Sequence, residues 1–370
     1  MRIGITSDLH LGFGSGRRKG DSCLQAKRAV KELLRQDVDV ILLAGDVFDS
    51  PVPRPETLRD AASVLRLAQK KASDTRFTGV GRDTPEFKGT PVVAIHGNHE
   101  RRVRGEVNPT QLMDIMGYLI YLHDSGVVTN DVGIYGLGSV PESYAQRVFR
   151  SLKVKPLADT SFFMFHQDVH PYIPRASLML KDLPRGFSYY INGHIHAPRQ
   201  EKKFLIPGST VVTQMKPEEA EKFVWVWDDG FEKHQIKSRP LHYMDVDAAG
   251  KAPGEILSTI DKDIQDILSK GGDEMPMIRI LVRGKLAKGF KPADLIFTND
   301  YDAIVNFSKR IEGGILSNID VTELDVDEIA IKALDKMLQD RKLKINAAKL
   351  YACLISGDET GVWNLLEGDV

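Results

Sequence analysis

Through the first half of the chain, short apolar, β-prone runs keep ending in a small cluster of charged or amide side chains. The runs are 2–8 (RIGITSD), 38–46 (VDVILLAGD), 90–98 (TPVVAIHGN), 161–167 (SFFMFHQ) and 187–194 (FSYYINGH). They are continuous rather than alternating, the pattern of strands buried on both faces. Between some of them the period changes to that of an amphipathic helix. In 23–36, Leu24, Ala29 or Val30, and Leu33 or Leu34 recur at helical spacing; 55–72 does likewise, and 108–122 also reads as helical. Strand, helix, strand in that order predicts a layered α/β fold with a parallel sheet. In such sheets ligands sit outside the carboxyl ends of the strands, which is where the polar clusters fall.

The character changes after 222–237, a hairpin pattern with Asp229-Gly230 at its turn. Residues 252–272 predict an amphipathic helix with Ile256, Ile260, Ile264, Ile267 and Leu268 on one side. Residues 277–286 alternate like a half-buried strand, and 300–314 read as a second helix, giving a small α+β domain. From about Glu323 the pattern is helical again, over 325–340 and 346–357, with apolar stripes at Ile329, Ala333 and Met337 and at Leu350, Tyr351 and Leu354. Two lone helices bury little core, so these stripes are expected to dock onto the second domain or onto a partner. A chain of 370 residues accommodates two or three domains; the expected division is 1–241, 242–322 and 323–370.

Composition narrows the class only slightly. Hydrophobic residues at 42% and charged residues at 27% are enough for a sizeable core. A net charge of −1 provides no global field for a polyanion, so any such binding falls to local patches. Two distant cysteines, Cys23 and Cys353, argue against a disulfide framework and suit a reducing compartment. No run is long and apolar enough to span a bilayer. The expectation is a soluble, cytoplasmic or nucleoid-associated protein without a membrane partner.

The strand-end clusters carry the chemistry. In order they are Asp8 with His10, Asp46 with Asp49, Asn98 with His99, His166, and His194 with His196. Residues i and i+2 of an extended segment point to one side, so Asp8 and His10, or His194 and His196, can converge on one target. Carboxylate, imidazole and amide donors together suit Mn, Fe or Zn rather than an all-oxygen calcium cage. Asp8, His10, Asp46, Asn98, His166, His194 and His196 exceed what one tetrahedral ion needs. Two ions roughly 3.5–4 Å apart, bridged by a carboxylate, use such a set and can activate water against a clamped phosphoryl group. Asp46 is the expected bridge, because Gly45 before it permits a close backbone approach. Any one of these clusters alone would more often be structural; five in succession, each at a strand end, point to a dinuclear site.

The series Asp-x-His, Gly-Asp-x-x-Asp, Gly-Asn-His-Glu, a lone His and Gly-His-x-His, over residues 1 to about 210, resembles the calcineurin-like metallophosphoesterase superfamily. That resemblance implies a β-sandwich flanked by helices in place of a single parallel sheet. It assigns Asp8, His10, Asp46 and His196 to one metal, and Asp46, Asn98, His166 and His194 to the other. His99 would stabilise the transition state or protonate the leaving oxygen. The Ser/Thr protein phosphatase branch is disfavoured, since GDVFDSP lacks that branch's Arg-Gly and His96 stands before Gly97.

Residues 44–58 (AGDVFDSPVPRPETL), 97–105 (GNHERRVRG), 183–196 (LPRGFSYYINGHIH) and 206–210 (IPGST) resemble the SbcD/Mre family of DNA double-strand-break repair nucleases. The resemblance weakens after about residue 240, where domain order and length carry it. One departure is Asp49, where some members have His. The resemblance implies a nuclease with two Mn(II) ions per chain, Fe or Zn fitting the same donors. Its activities would be a three-prime to five-prime exonuclease and a single-strand endonuclease. The chain would form a homodimer through the nuclease domain, for which 55–72 and 108–122 are the expected surface. The small domain would be a DNA-recognising cap, and the C-terminal helices would bind a Rad-fifty-type, SMC-like ATPase that gates access to DNA. Candidate phosphate contacts are Arg17, Arg18 and Lys19 on a glycine-rich loop after the first ligands, and Arg101, Arg102 and Arg104 after His99. Phe13 and Tyr172 are the candidate stacking residues. Two rival readings remain: a small-molecule phosphodiesterase of the cyclic-nucleotide type, which would need neither cap nor tail, and a non-catalytic scaffold, which would not need a complete ligand set.

Overall fold

The computed structural model describes residues 1–103, 105–129, 132–312, 331, 334–335, 337–339, 343, 345–356, 362 and 365. The apolar runs form the strands they predict, but in two sheets. In the first, β1 (Ile3–Thr6), β2 (Val40–Ala44), β4 (Val92–Ile95) and β5 (Ile120–Tyr121) run parallel, and the predicted hairpin β12 (Lys222–Trp227) and β13 (Phe231–Ile236) adds antiparallel to β1. The second has the order β10 (Arg199–Glu201), β11 (Phe204–Ile206), β9 (Tyr189–Asn192), β8 (Thr160–Phe165), β7 (Val132–Leu137), β6 (Ser125–Thr129), β3 (Thr78–Val80). Its β7, β8, β9 and β11 are parallel.

Alternate residues of each strand explain why the runs are apolar throughout. Ile3, Ile5, Leu42 and Ile95 of the first sheet meet Ile134, Phe162, Met164 and Ile191 of the second. The opposite face of the first sheet, with Ile41, Leu43 and Ala94, is covered by α1 (Asp21–Arg35) and α2 (Pro55–Gln69) through Ala26, Ala29, Leu33, Ala61 and Val64. The outer face of the second, with Phe163 and Phe165, takes Ala145 and Phe149 of α4 (Glu142–Ser151). The result is helix, sheet, sheet, helix: the flanked sandwich, not the single sheet that the periodicity alone predicts. Each fully buried Leu, Ile or Phe contributes roughly 1.5–3 kcal/mol, and the inter-sheet layer sets the strand ends of both sheets against each other.

Three local expectations are corrected. Leu24 is exposed; α1 buries the expected Ala29, Val30 and Leu33, with Cys23 and Ala26 in place of Leu24. The 108–122 segment is not one helix: α3 (Pro109–Ile115) stops where Gly117 adopts φ +72° and its N–H bonds Asp114, so that Ile120–Tyr121 can pair as β5. Residues 300–314 contain a strand, β16 (Ile304–Ile311), in a third sheet ordered β14 (Leu241–Asp247), β15 (Met277–Gly284), β16. Val305, Phe307 and Ile311 share one side of it at period two, and Phe307 stacks on Phe297 with ring centroids 4.9 Å apart. The helix predicted over 252–272 is α5 (Pro253–Ser269), with Ile256, Ile260 and Ile264 buried.

The chain divides into two compact units, one of 1–244, 265–279 and 299–306, the other of 245–264, 280–298 and 307–370. Of the tail, Ile329 and Ala333 lie outside the described residues. Leu338, Ile345, Ala347 and Leu350 form a small cluster with Ile331 and Leu334, and a helix spans Ala347–Ser356. Met337 and Leu354, each part of a stripe expected to dock onto the second domain or a partner, are exposed. No helix among the described residues is long and apolar enough to cross a membrane.

Candidate metal centre

The carboxyl ends of β1, β2, β4, β8 and β9 meet at one edge of the sandwich. The loops after β1 and β2 run side by side, with the N–H of Asp8 on the Gly45 carbonyl (3.0 Å) and that of His10 on Asp46 (2.9 Å). The N–H of His194 reaches across to both carboxylate oxygens of Asp8 at 3.1 and 3.2 Å. Four of the site residues, Asp8, His10, Asp46 and His194, take positive φ, between 45° and 75°. That region is sparsely used by residues other than glycine and costs about 1–3 kcal/mol per residue. The strained turns aim side chains from both sheets inward. Glycines make the approach feasible. A Cβ on Gly45 would lie 2.3 Å from His166 Nδ1, and one on Gly97 would lie 2.0 Å from Asp46 Oδ1. The nearest neighbour of Gly45 is therefore the His166 ring.

All seven candidate ligands come together. Asp8, His10 and His196 form one group, and Asp46, His166 and His194 another, with donor atoms in each within 4.8 Å of one another. Asn98 Oδ1 joins the second group, 3.0 Å from His166 Nε2 and 2.9 Å from His194 Nδ1. Asp46 Oδ2 lies 3.3 Å from His166 Nε2 and 3.9 Å from His10 Nε2, so this carboxylate faces both groups. His10 and His196 turn their Nε2 atoms toward each other at 3.1 Å.

The outward-facing ring nitrogens settle which lone pairs point in. His10 Nδ1 donates to Asp49 Oδ1 (3.0 Å), His166 Nδ1 to the Ala44 carbonyl (2.9 Å) and His194 Nε2 to Asp168 Oδ1 (2.8 Å). Each of these acceptors can only accept, so the neutral ring presents its other nitrogen as a lone pair to the cluster. Lone pairs converging on each other and on the Asn98 carbonyl oxygen repel unless positive charge lies among them. The buried carboxylates say the same: among the described residues, the ion-pair partners of Asp8 and Asp46 are histidines only. Without a metal, protons supply that charge. Burial lowers the His166 pKa, but Asp46 overrides it and the ring is pushed up to about 9. Burial lowers His10 too, but its hydrogen bond with Asp49, then the charges of Asp46 and Asp8, raise it. Burial raises Asp46, yet His166 and His10 hold it well below the usual carboxylate range. The donor set and its charge fit a pair of borderline divalent ions.

His99 occupies the rim. Its side chain is 42% exposed, its Nδ1 lies 3.3 Å from the Asp49 carbonyl and its ring packs 4.9 Å from that of His10. Its backbone N–H donates to Asp46 Oδ1 at 3.0 Å. Asp49 thus orients His10 and neighbours His99.

Several supporting residues escaped the sequence reading. Glu100 is fully buried and accepts from the N–H groups of Phe48 (2.9 Å) and Gly97 (2.7 Å) and from Thr110 Oγ1 (2.5 Å), tying the two ligand loops together. Burial and the nearby Asp46 push its pKa up to about 7. It was visible as the last residue of Gly-Asn-His-Glu, and Asp168 as the i+2 neighbour of His166. Thr213 and Glu219, behind His196, carried no local signal.

The basic candidates separate. Arg17 donates to the carbonyls of Tyr301 (2.7 Å) and Ala303 (3.0 Å). Arg18 bonds Asp21 (3.2 Å) and the Val212 carbonyl while lying over the Phe13 ring. Arg102 pairs with Glu106. Lys19 and Arg101 are exposed, and neither forms an ion pair among the described residues. Arg104 lies outside the described residues. Tyr172 stacks on Phe204 beneath Arg199 and donates its hydroxyl to Glu201, so its ring faces are occupied.

The sequence model of the family described as calcineurin-like phosphoesterase matches residues 1–198, the stretch that holds all seven candidate ligands. The DNA double-strand break repair protein Mre11 of Methanopyrus kandleri is 29% identical over 311 residues, covering 78% of this chain and 64% of its own length. Its counterpart in Archaeoglobus fulgidus is 23% identical over 396 residues, covering 93% and 80%. The human double-strand break repair protein MRE11 is 25% identical over 290 residues, covering 65% and 41%. The chain therefore spans less than two thirds of the Methanopyrus protein and less than half of the human one.

Proposed function

We propose that this chain, which belongs to the calcineurin-like phosphoesterase family, is a Mn-dependent DNA nuclease of a double-strand-break repair complex, acting as a three-prime to five-prime exonuclease and a single-strand endonuclease. The observation that carries the reading is the convergence of two buried carboxylates, four imidazoles and one amide at a single sandwich edge. Similarity over much of the chain to proteins named for double-strand break repair supports the choice of DNA as substrate.

In this reading Asp8, His10, Asp46 and His196 hold one ion, and Asp46, Asn98, His166 and His194 the other, with Asp46 shared. Mn(II) is the proposed metal; Fe and Zn fit the same donors. Two divalent ions, when bound, supply a nucleophile from water and neutralise phosphoryl charge. The chain's own contribution is to fix the imidazoles with their lone pairs inward and to present His99 at the open rim. From there His99 protonates the leaving sugar oxygen. Its backbone N–H, on Asp46, keeps the rim loop in register with the shared carboxylate. Lys19 and Arg101, exposed beside the two ligand loops, contact phosphates without reading sequence. Arg17, Arg18 and Arg102 shape those loops.

The proposed division is a nuclease over 1–241, a DNA-recognising cap over 242–322 and a partner-binding tail over 323–370, in a homodimer formed through the nuclease domain. The exposed Met337 and Leu354 are apolar contacts for a Rad-fifty-type ATPase. Deleting 323–370 should leave Mn-dependent cleavage intact and abolish capture of that ATPase in a pull-down; retained capture removes the tail from the assignment.

The direct test is cleavage of linear duplex and single-stranded DNA by the full chain in Mn, Mg, Zn or EDTA. Degradation in Mn that stops with EDTA is expected. Turnover of bis-p-nitrophenyl phosphate without DNA cleavage would move the substrate to small phosphodiesters.

A further inference from the structure

Three of the four histidines in the metal centre lean directly on an acceptor: Asp49, the Ala44 carbonyl or Asp168. His196 does not. Its Nδ1 lies 2.6 Å from the hydroxyl of Thr213, which can donate or accept and so does not by itself decide where the ring proton sits. The next group outward decides it. Glu219 lies 3.3 and 3.4 Å from the same hydroxyl through its two oxygens, and a carboxylate only accepts. The backbone N–H groups of Thr213 (2.7 Å) and Gln214 (3.1 Å) fix that carboxylate in place.

Glu219 is only 2% exposed, as is Lys222. A buried, unpaired carboxylate would be strongly destabilising. Lys222 Nζ meets it at 3.3 Å and donates to Ser209 Oγ at 2.8 Å. The charge is thereby kept in place behind His196, out of contact with water.

We infer that Lys222, Glu219 and Thr213 form a buried positioning relay that holds His196 with its proton on Nδ1 and its Nε2 lone pair facing the metal centre. The chain runs in one direction: His196 Nδ1–H donates to Thr213 Oγ1, the Thr213 O–H donates to Glu219, and Lys222 neutralises Glu219. The inference rests on the metal-centre reading above and adds to it the groups that prepare its fourth imidazole.

The test uses the full chain with the substitutions Thr213→Val, Thr213→Ser and Glu219→Gln. Mn(II) binding is followed by equilibrium dialysis, and the coupling between ions by electron paramagnetic resonance. In the wild type two exchange-coupled Mn(II) ions are expected. Thr213→Val should weaken one ion about 10–100-fold, leave the other unchanged, and convert the coupled spectrum to that of an isolated ion. Thr213→Ser, which keeps the hydroxyl, should restore the coupled spectrum, a rescue that loss of packing alone would not give. If Thr213→Val fails to fold, Glu219→Gln and Thr213→Ser decide: weakening in the first with wild-type binding in the second supports the relay. Two coupled ions at wild-type affinity in folded Thr213→Val, or in Glu219→Gln, would overturn it. A wild-type chain that binds no divalent ion would instead overturn the metal-centre reading, and the relay with it.

Discussion

Replacing His99 by leucine is expected to leave both metal ions bound and the melting temperature unchanged, while slowing DNA cleavage about a hundredfold or more, the range for loss of a general acid. The expectation follows from what the side chain touches. Its Nδ1 faces the Asp49 carbonyl and lies 3.7 Å from the Asp49 carboxylate, outside the two ligand groups. The part of His99 that steadies the centre is its backbone N–H on Asp46, which leucine retains. Leucine also fills the space beside the His10 ring, so no cavity opens there. The measurement pairs metal content, by atomic absorption, with cleavage of linear duplex DNA in Mn. If metal is lost with activity, His99 is a ligand, and the rim grouping of His10, Asp49 and His99 would be the geometry responsible.

The candidate ligands stand out in the sequence because each follows an apolar strand, and strand ends are where an α/β sheet opens. The two-sheet arrangement was not legible from periodicity. A strand buried on both faces reads the same between two helix layers as between a helix layer and a second sheet. Ile3 and Ile41 look alike in sequence, yet one faces the other sheet and the other faces α1 and α2. β16 was misread because Ile304, Phe307 and Ile311 satisfy helical spacing as well as Val305, Phe307 and Ile311 satisfy a strand. Pairing in the third sheet, a tertiary fact, decides between them. The basic runs illustrate the same limit. Arg17 and Arg18 are candidate phosphate contacts in the sequence, which does not reveal their acceptors, because Tyr301, Ala303 and Val212 lie far away along the chain. The supporting shell of the centre has no period to detect: Asp49, Glu100 and Asp168 lie in or beside a recognised motif, whereas Thr213 and Glu219 do not.

Asp46→Ala should have the larger effect, because it removes the one carboxylate that faces both groups. Its Oδ2 lies 3.3 Å from His166 Nε2 and 3.9 Å from His10 Nε2, and its Oδ1 anchors the His99 loop. In the proposed assignment one ion would then keep Asp8 as its only carboxylate, and the other would be left with Asn98 and two imidazoles. Losing several kcal/mol of charge stabilisation corresponds to a fall on the order of a thousandfold in rate, accompanied by loss of at least one ion. Metal-free protein provides a separate readout. The His166 pKa is raised from 6.5 to about 9, with Asp46 the largest influence opposing burial. A group whose pKa is raised on folding stabilises the fold fully below its unfolded value and loses that contribution as pH rises through its folded value. In chelator, the wild-type chain should therefore lose stability between about pH 6.5 and pH 9. In Asp46→Ala burial dominates, the ring stays neutral, and that slope should flatten. Denaturant titrations across this range, with metal content measured in parallel, check both halves. An Asp46→Ala chain that keeps two ions and the wild-type slope would place the shared carboxylate elsewhere.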